Sequence, residues 1–487
     1  MEIILKPTTN KDSISTLNFT HDQRKAYNEL IEFIDAPYDE KDYKRALVGA
    51  AGTGKTYLVE ALIKNCKTSY STIGLAAPTH KACRVLRESI NIRNININTL
   101  QSDLGFRLNV DVETFDISNP PFHPKGRIKI KNYNIYIVDE ASMINSALVV
   151  FLEDICKSNK CKIIYIGDDF QLPPVNEKYS FALKGLKVHR LSQIVRQEAD
   201  NPVKYLLELL RYDIRYKKFT FLEYISKNRE KFDNDNVKGY KVCTPSEFNI
   251  IVYNNFNDKT LESNVDFCKV IAFTNMAVSG WNKVIRNAII TDADKSVITK
   301  HDLIISYITI VNQFNEPIIK NSEEYIIKEM VNYIHPKYNL KGFMIKFQAI
   351  HGGYVTSPLF VLDHKDIVTV QRYIQLSKEM IDAAKNANSK LRAQKWTNYY
   401  SFKESCLLLT NIVNKNGNVL YSRNLDYGFS LTSHKSQGST FDTSLVDVND
   451  IVYDKYGHIY ADAEEINRRL YVACSRCKNK LYLKYGK

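Results

Sequence analysis

Arg45-Ala-Leu-Val-Gly49-Ala-Ala-Gly-Thr-Gly54-Lys55-Thr56 is the stretch whose reading decides the fold. It spells G-x-x-x-x-G-K-[ST], with Gly49, Gly54, Lys55 and Thr56 at the defining positions. The apolar residues Ala46 to Val48 lead in as a short strand, and Tyr57 to Ile63 lead out with a helical pattern. That strand–loop–helix setting is the one a phosphate-binding loop requires. Glycines let the backbone N–H groups of Gly49, Ala50, Ala51, Gly52, Thr53 and Gly54 curl around phosphate oxygens, and the helix N-terminus adds partial positive charge. Lys55 is placed to reach the outer phosphates, and Thr56 to offer its hydroxyl to Mg²⁺. The expected cofactors are therefore ATP and Mg²⁺.

A phosphate loop needs a carboxylate at the end of a nearby strand. Ile135-Tyr-Ile-Val-Asp139-Glu140 supplies one. The uniformly apolar run suits a strand buried on both faces. Asp139 is placed to hold the metal, and Glu140 to orient or deprotonate the attacking water. A third strand, Lys162 to Ile166, runs into Gly167-Asp-Asp-Phe-Gln171-Leu-Pro-Pro-Val175. There Gln171 is placed to sense the γ-phosphate, and two prolines force the chain out of the sheet.

The chain has 487 residues, with 44% apolar and 25% charged, which is ordinary globular usage. Lysine and arginine total 67 against 54 acidic residues, so the net charge is 67 − 54 = +13. Such an excess suits a polyanionic partner without proving one. No apolar run approaches the ~18 residues of a membrane helix, and Met1 to Pro7 does not read as a secretory signal. Nine scattered cysteines do not form a disulfide framework, and Cys474-x-x-Cys477 stands without a second pair. A reducing cytoplasm is the expected compartment.

In this order, the segments resemble the motifs of superfamily 1 helicases, and most closely the 5′→3′ branch that contains RecD and the Dda-like phage helicases. Gln23, upstream of the loop, resembles the adenine-reading glutamine. Ala77-Pro78-Thr79-His80-Lys81-Ala82 resembles the strand-gripping motif Ia, and Thr99-Leu100 sits where motif Ib belongs. Arg190 to Gln197 resembles the element whose arginine, Arg196, reaches the γ-phosphate. Ala272-Phe-Thr-Asn275 resembles the opening of a second motor domain. Thr432-Ser-His434-Lys435-Ser-Gln-Gly438 resembles motif V, and Arg469 to Arg476 resembles motif VI, with Cys474-Ser475 where Leu-Thr is common.

The resemblance implies catalytic roles for Lys55, Glu140, Gln171, Arg196 and the arginine finger Arg476. It implies nucleotide contacts from Gln23 and Gly438 besides the loop, and metal contacts from Thr56 and Asp139. It implies DNA contacts from Pro78, Thr79, His80, Thr99, Phe122, Asn275, Thr432, His434 and Lys435. The implied activity is ATP-driven 5′→3′ movement on single-stranded DNA with duplex unwinding, by a monomer acting on tailed or forked DNA beside single-strand-binding or replisome proteins. A translocase that remodels protein–DNA complexes, a small-molecule kinase and a non-enzymatic DNA-binding remnant are the competing readings. No membrane is involved, and the Ile, Lys, Asn and Tyr richness suits a phage protein in its host's cytoplasm.

The expected fold is α/β, with two RecA-like domains built on parallel sheets. Residues 1–18 read as an arm, and 19–265 as the first motor domain with a pin inserted at 104–132. Phe106, Phe115 and Phe122 are its candidate wedges. Residues 266–300 and 426–487 read as the second motor domain. An SH3-like barrel and helical arm (301–425) interrupt it. The excess positive charge is expected near Lys81, Lys435 and that arm.

Overall fold

The computed structural model describes residues 18–106, 127–174, 176–193, 201–291, 293–312 and 316–486. The chain divides into two compact units. One comprises Met1–Lys227, Lys231–Gly239 and Ala461–Ser475; the other comprises Asn228–Glu230, Tyr240–Tyr460 and Arg476–Lys487.

The first unit is a parallel sheet between helices. Its strands are β1 (Lys44–Gly49), β2 (Ile73–Ala77), β3 (Asn96–Thr99), β4 (Ile135–Val138), β5 (Lys162–Gly167) and β6 (Lys187–Leu191), in the order β3-β2-β4-β5-β1-β6. Alternation along each strand assigns its two faces. Leu75, Ile135, Ile137, Ile164 and Ile166 pack with α1 (His21–Asp35), α2 (Lys55–Asn65) and α3 (His80–Ser89). Ala76, Tyr136, Val138, Ile163 and Tyr165 pack on the other face against the short α4 (Leu100–Asp103) and α5 (Ser146–Ser158). A strand with both faces covered must be apolar throughout, which is why these runs lack a polar side.

Registry brings the strand ends level. Val48 pairs with Gly167, Gly49 with Leu191, and Val138 with Tyr165. The residues that follow β1, β4 and β5 therefore emerge along one edge of the sheet. At the opposite end of α1, the buried Lys162 ammonium donates to the carbonyls of Phe33, Ile34 (3.1 Å) and Ala36. A cation there satisfies orphan carbonyls and opposes the negative end of the helix dipole. Next come α6 (Pro202–Tyr216), with Asn201 as its cap and Pro202 in its first turn, and α7 (Thr220–Lys227).

The second unit has its own sheet. It contains β7 (Gly239–Cys243), β8 (Cys268–Ala272), β14 (Ser430–Thr432), β15 (Phe441–Asp447) and β16 (Cys477–Lys484), ordered β14-β8-β15-β16-β7. β14, β8, β15 and β16 run parallel. Helices α8 (Pro245–Phe256) and α9 (Asn275–Ile289) cover it, with Phe248, Val278, Trp281 and Ile285 in the shared core. Between β8 and β14 the chain forms a five-stranded antiparallel sheet: β9 (Leu303–Ser306), β10 (Glu324–His335), β11 (Leu340–Ala349), β12 (Leu359–Leu362) and β13 (Leu425–Tyr427), ordered β12-β11-β10-β9-β13. Two helices follow β12: α10 (Ile367–Lys385) and α11 (Ser389–Ser405). The short α12 (Val448–Val452) follows β15. The last helix, α13 (Ala463–Ser475), belongs to the first unit, where it packs along α6.

Several expectations need correction. The boundary at 265/266 falls instead near 240, because β7 is a strand of the second sheet and α8 packs on it. Residues 461–475, expected in the second motor domain, pack with the first unit. Within 301–425, Gly352 and Gly353 take positive φ of 85° and 64° and turn the chain before β12 begins at Leu359. Phe106 is no wedge: its half-buried ring stacks on Phe151 of α5 at 5.5 Å, packed against the core of the first unit. In the helical arm, Tyr399 and Phe402 are buried core residues, and Phe402 packs against Tyr338 and Tyr373. Most of the pin, with Phe115 and Phe122, lies outside the described residues, as do Val175, Arg196 and residues 1–17. All nine cysteines are buried and free, and among the described residues no helix is long and apolar enough to cross a membrane.

Candidate nucleotide site and strand-binding loops

The phosphate loop closes on itself between β1 and α2. Thr53 donates its N–H (3.3 Å) and its hydroxyl (2.9 Å) to the Ala50 carbonyl. Gly52 and Gly54 sit at φ of 82° and 81°, where a side chain would strain the backbone. A Cβ on Gly49 would lie 2.6 Å from Thr53 Oγ1 and 2.9 Å from the Leu191 carbonyl, so the tight turn excludes one. Lys55 Nζ donates to the carbonyls of Gly49 (2.6 Å) and Ala50 (3.1 Å), which holds the ammonium within the loop.

Gln23 reaches the loop from α1. Its Nε2 donates to the Thr53 carbonyl (3.0 Å), and its Oε1 accepts the Thr20 N–H (3.0 Å) in a capping box. The glutamine is buried and fixed from both ends. Beside it, Asp22 accepts the N–H (3.0 Å) and hydroxyl of Ser192, and these bonds hold its carboxyl below the usual range.

Asp139 follows β4, and its N–H donates to Ala76 (2.8 Å). Asp139 and Thr56 both border one small gap that is otherwise lined by the apolar side chains Val59, Leu75, Leu86, Ile137 and Ile166. A hydroxyl and a carboxylate on one cavity are the hard oxygen donors a magnesium ion takes, with nucleotide phosphates completing its shell. Burial pushes the Asp139 carboxyl up, against the pull of the Glu140 N–H (2.9 Å) and the Lys55 ammonium. Glu140 adopts φ of +50°, a conformation L residues rarely keep without cause and one that gathers at working sites.

The turn after β5 is braced throughout. Asp168 is buried; it accepts the Phe170 N–H (3.1 Å) and the Tyr471 hydroxyl (2.9 Å), while desolvation raises its carboxyl. Asp169 forms a two-pronged pair with Arg190, at 3.0 and 2.7 Å. Gln171 is buried, and its N–H closes the turn on the Asp168 carbonyl (3.1 Å). Loop, carboxylates and glutamine thus share one edge of one sheet. Sequence reasoning missed Tyr471, because only the fold brings it to Asp168.

The residues expected to grip a strand fall into two sets of loops. In the first unit, Ala77 pairs with Thr99, so the loops after β2 and β3 lie side by side. Thr79 caps α3 by accepting the Ala82 N–H (3.1 Å), with Pro78 before it and His80 opening the helix. Thr99 caps α4 through Ser102 (3.3 Å). In the second unit, Ala272 pairs with Thr432. Thr274 caps α9 and Asn275 opens it, while Thr432 Oγ1 accepts the Lys435 N–H (3.2 Å) and His434 lies between them in sequence. Lys435 Nζ stands 5.0 Å from the centre of the Tyr307 ring. Asp450 accepts the N–H groups of Phe273 (2.7 Å) and Thr274 (2.8 Å) and fixes this corner, a role that no spacing in the sequence announces. Gly438 turns at φ of 71°, and Arg476, buried in the second unit, donates to the Ser439 carbonyl (3.3 Å).

Residues 19–224 match the model of an AAA domain family. The chain is 23% identical to an uncharacterized protein, R530, of Acanthamoeba polyphaga mimivirus, over 95% of this chain and 99% of that protein. It is 28% identical to the ATP-dependent RecD2 DNA helicase of Deinococcus radiodurans over 159 residues, 32% of this chain and 20% of the relative. It is 31% identical to the RecBCD enzyme subunit RecD of Buchnera aphidicola, over 43% of this chain and 41% of the relative. Over the matched stretches the chain is similar to RecD-type DNA helicases. It spans nearly the whole mimivirus protein but less than half of either helicase relative.

Proposed function

We propose that the chain is an ATP-dependent DNA helicase that moves 5′→3′ along single-stranded DNA and unwinds duplex ahead of it. One observation carries this reading: Lys55, Thr56, Asp139, Glu140 and Gln171 emerge together at the ends of β1, β4 and β5. ATP binds the loop, with Gln23 and Gly438 among its contacts, and Mg²⁺ is held by Thr56 and Asp139. Glu140 prepares the attacking water, Gln171 senses the γ-phosphate, and Arg196 and Arg476 neutralise charge as it develops. Phosphoryl transfer needs little beyond such positioning and charge stabilisation.

The matched threonine-capped loops are the grip on DNA. In both units a helix N-terminus follows a strand end, where N–H groups and hydroxyls meet a backbone phosphate without reading a base. Pro78, Thr79, His80 and Thr99 serve one unit; Asn275, Thr432, His434 and Lys435 serve the other. The antiparallel sheet within 301–425 is the SH3-like barrel of this family, and Phe122 is the pin residue against the fork. The protein works as a monomer, with single-strand-binding or replisome proteins beside it, in the cytoplasm of a phage or virus host.

The deciding experiment compares 5′-tailed, 3′-tailed and RNA-tailed duplexes in ATP-driven unwinding, alongside hydrolysis with and without single strands. The reading requires single-strand-stimulated hydrolysis and preference for the 5′ DNA tail. Hydrolysis indifferent to nucleic acid overturns it.

A further inference from the structure

The turn that presents Gln171 is held from a distant part of the chain. In the first unit, Arg468 of α13 donates through Nη1 to the carbonyls of Asp169 (2.6 Å) and Gln171 (2.9 Å). Its Nε and Nη2 donate to Glu464 one helical turn earlier, at 3.2 and 2.9 Å. All three guanidinium nitrogens are thus engaged, and the fork has one orientation. Three residues on, Tyr471 donates to Asp168 at 2.9 Å, and its ring centre lies 6.1 Å from that of Phe170. From the other side, Arg215 of α6 lies 5.0 Å from the centre of the Phe170 ring.

These contacts differ from a surface ion pair. The Arg468 acceptors on the turn are main-chain carbonyls two residues apart, so the contact fixes the path of the backbone. Arg469, its neighbour, pairs with Glu465 one helical turn earlier. Gln171 is buried in this turn, so the path of the backbone decides where its side chain starts. Displacing a catalytic group by about 1 Å costs roughly 100-fold in rate.

We propose that Arg468 is a positioning residue for Gln171: from α13 it holds the backbone of the 168–171 turn so that the glutamine amide is presented to the γ-phosphate of bound nucleotide. The proposal rests on the hydrolytic role assigned to Gln171 above. It gives α13 a second duty, since the helix ends one residue before Arg476. Any displacement of α13 during the nucleotide cycle is thereby passed to the sensing turn through one guanidinium.

The test is a mutant cycle in the full chain: Arg468→Gln, Gln171→Ala and the double variant, with Arg468→Lys and Tyr471→Phe alongside. Basal and single-strand-stimulated hydrolysis give kcat and KM, a fluorescent ATP analogue gives binding, and thermal melting reports folding. Arg468→Gln is expected to lower kcat about 10–100-fold with KM and analogue binding within about twofold. The double variant is expected to be no slower than Gln171→Ala alone, because both changes remove one function. Arg468→Lys retains a donor and recovers part of the loss. Additive losses, an unchanged kcat, or a loss confined to KM overturn the proposal. Should Arg468→Gln fail to fold, Tyr471→Phe deletes one hydroxyl from the same brace and is read in the same cycle against Gln171→Ala. The cycle is read on basal turnover too. A protein indifferent to DNA would thus sink the helicase reading and still decide the link between Arg468 and Gln171.

Discussion

The side-chain amide of Gln23 donates to the carbonyl of Thr53, 3.0 Å away and 30 residues along the chain. Helix α1 is thereby tied to the phosphate loop at its least regular point. A base-reading role for Gln23, as proposed above, would couple nucleotide identity to phosphate geometry through this brace. Gln23→Ala is expected to raise KM for ATP about tenfold, with a smaller effect on kcat, and to weaken discrimination between ATP and GTP. An unchanged KM in steady-state hydrolysis would leave Gln23 a purely structural brace.

Gly54 is constrained from two sides. Its φ is +81°, and an added Cβ would fall 2.5 Å from Gln23 Nε2. Gly54→Ala should fold, because the clashing atom ends a flexible side chain. Nucleotide affinity should drop by about tenfold or more, since both the loop path and the Gln23 contact shift. Equilibrium binding of a fluorescent ATP analogue, with a melting curve as control, reads this directly.

Glu140 follows Asp139, the proposed metal ligand, in a left-handed conformation. Glu140→Gln keeps shape and removes the base. Hydrolysis is expected to slow about 10²–10⁴-fold while ATP binding persists. Rapid-quench turnover with separate nucleotide titration distinguishes that result from general damage; near-normal turnover would assign the base elsewhere.

Lys162 carries three carbonyl bonds in a buried position, where desolvation lowers the pKa of its ammonium. Lys162→Met removes the cation and leaves the end of α1 without its acceptors' partner. The expected loss is about 1–3 kcal/mol of unfolding free energy. Urea melts would show a lower midpoint at constant slope, and an unchanged midpoint would mean that water replaces the lysine fully.

Asp103 is buried beneath Thr99, and burial pushes its carboxyl up to about 6 despite Lys129 and the Tyr136 hydroxyl. The folded form therefore binds the proton more tightly than the unfolded chain, whose value is near the ordinary 3.8. Its contribution to stability is greatest at low pH, falls as pH rises from about 4 to about 6, and is flat above. The span is at most about 3 kcal/mol. Asp103→Asn keeps an acceptor for Tyr136 and should abolish that part of the slope, measured as the difference between the two melts across pH.

The first unit was largely legible before any coordinates. Gly49 to Thr56, Asp139 and Gln171 follow strands whose apolar runs are continuous because both faces are covered, and such runs announce themselves. The strand ends also fell within a residue or two of expectation. Gly239–Cys243 was not legible as part of the second sheet, because five residues in a Lys- and Tyr-rich stretch carry no sign of which sheet they join. Tyr471 and Arg468 were invisible as partners of the 168–171 turn for a different reason. Their bonds span some 300 positions and end partly on main-chain carbonyls, which have no residue identity to match. Phe106 shows the reverse error, since an aromatic beside a proline-rich excursion looks available until α5 is placed against it.

The chain leaves the first unit at Gly239 and returns to it at Ala461. On the ribosome this imposes a delay. Elongation at about 5–20 residues per second puts roughly 10–45 s between the two visits. Until α13 emerges, the turn carrying Gln171 lacks Arg468 and Tyr471, and the apolar flank of α6 lacks its cover. A nascent chain can therefore complete its phosphate loop early, but it cannot assemble the braced 168–171 turn until α13 has been made. That timing marks α6 as the surface that a chaperone would need to shield in the interval.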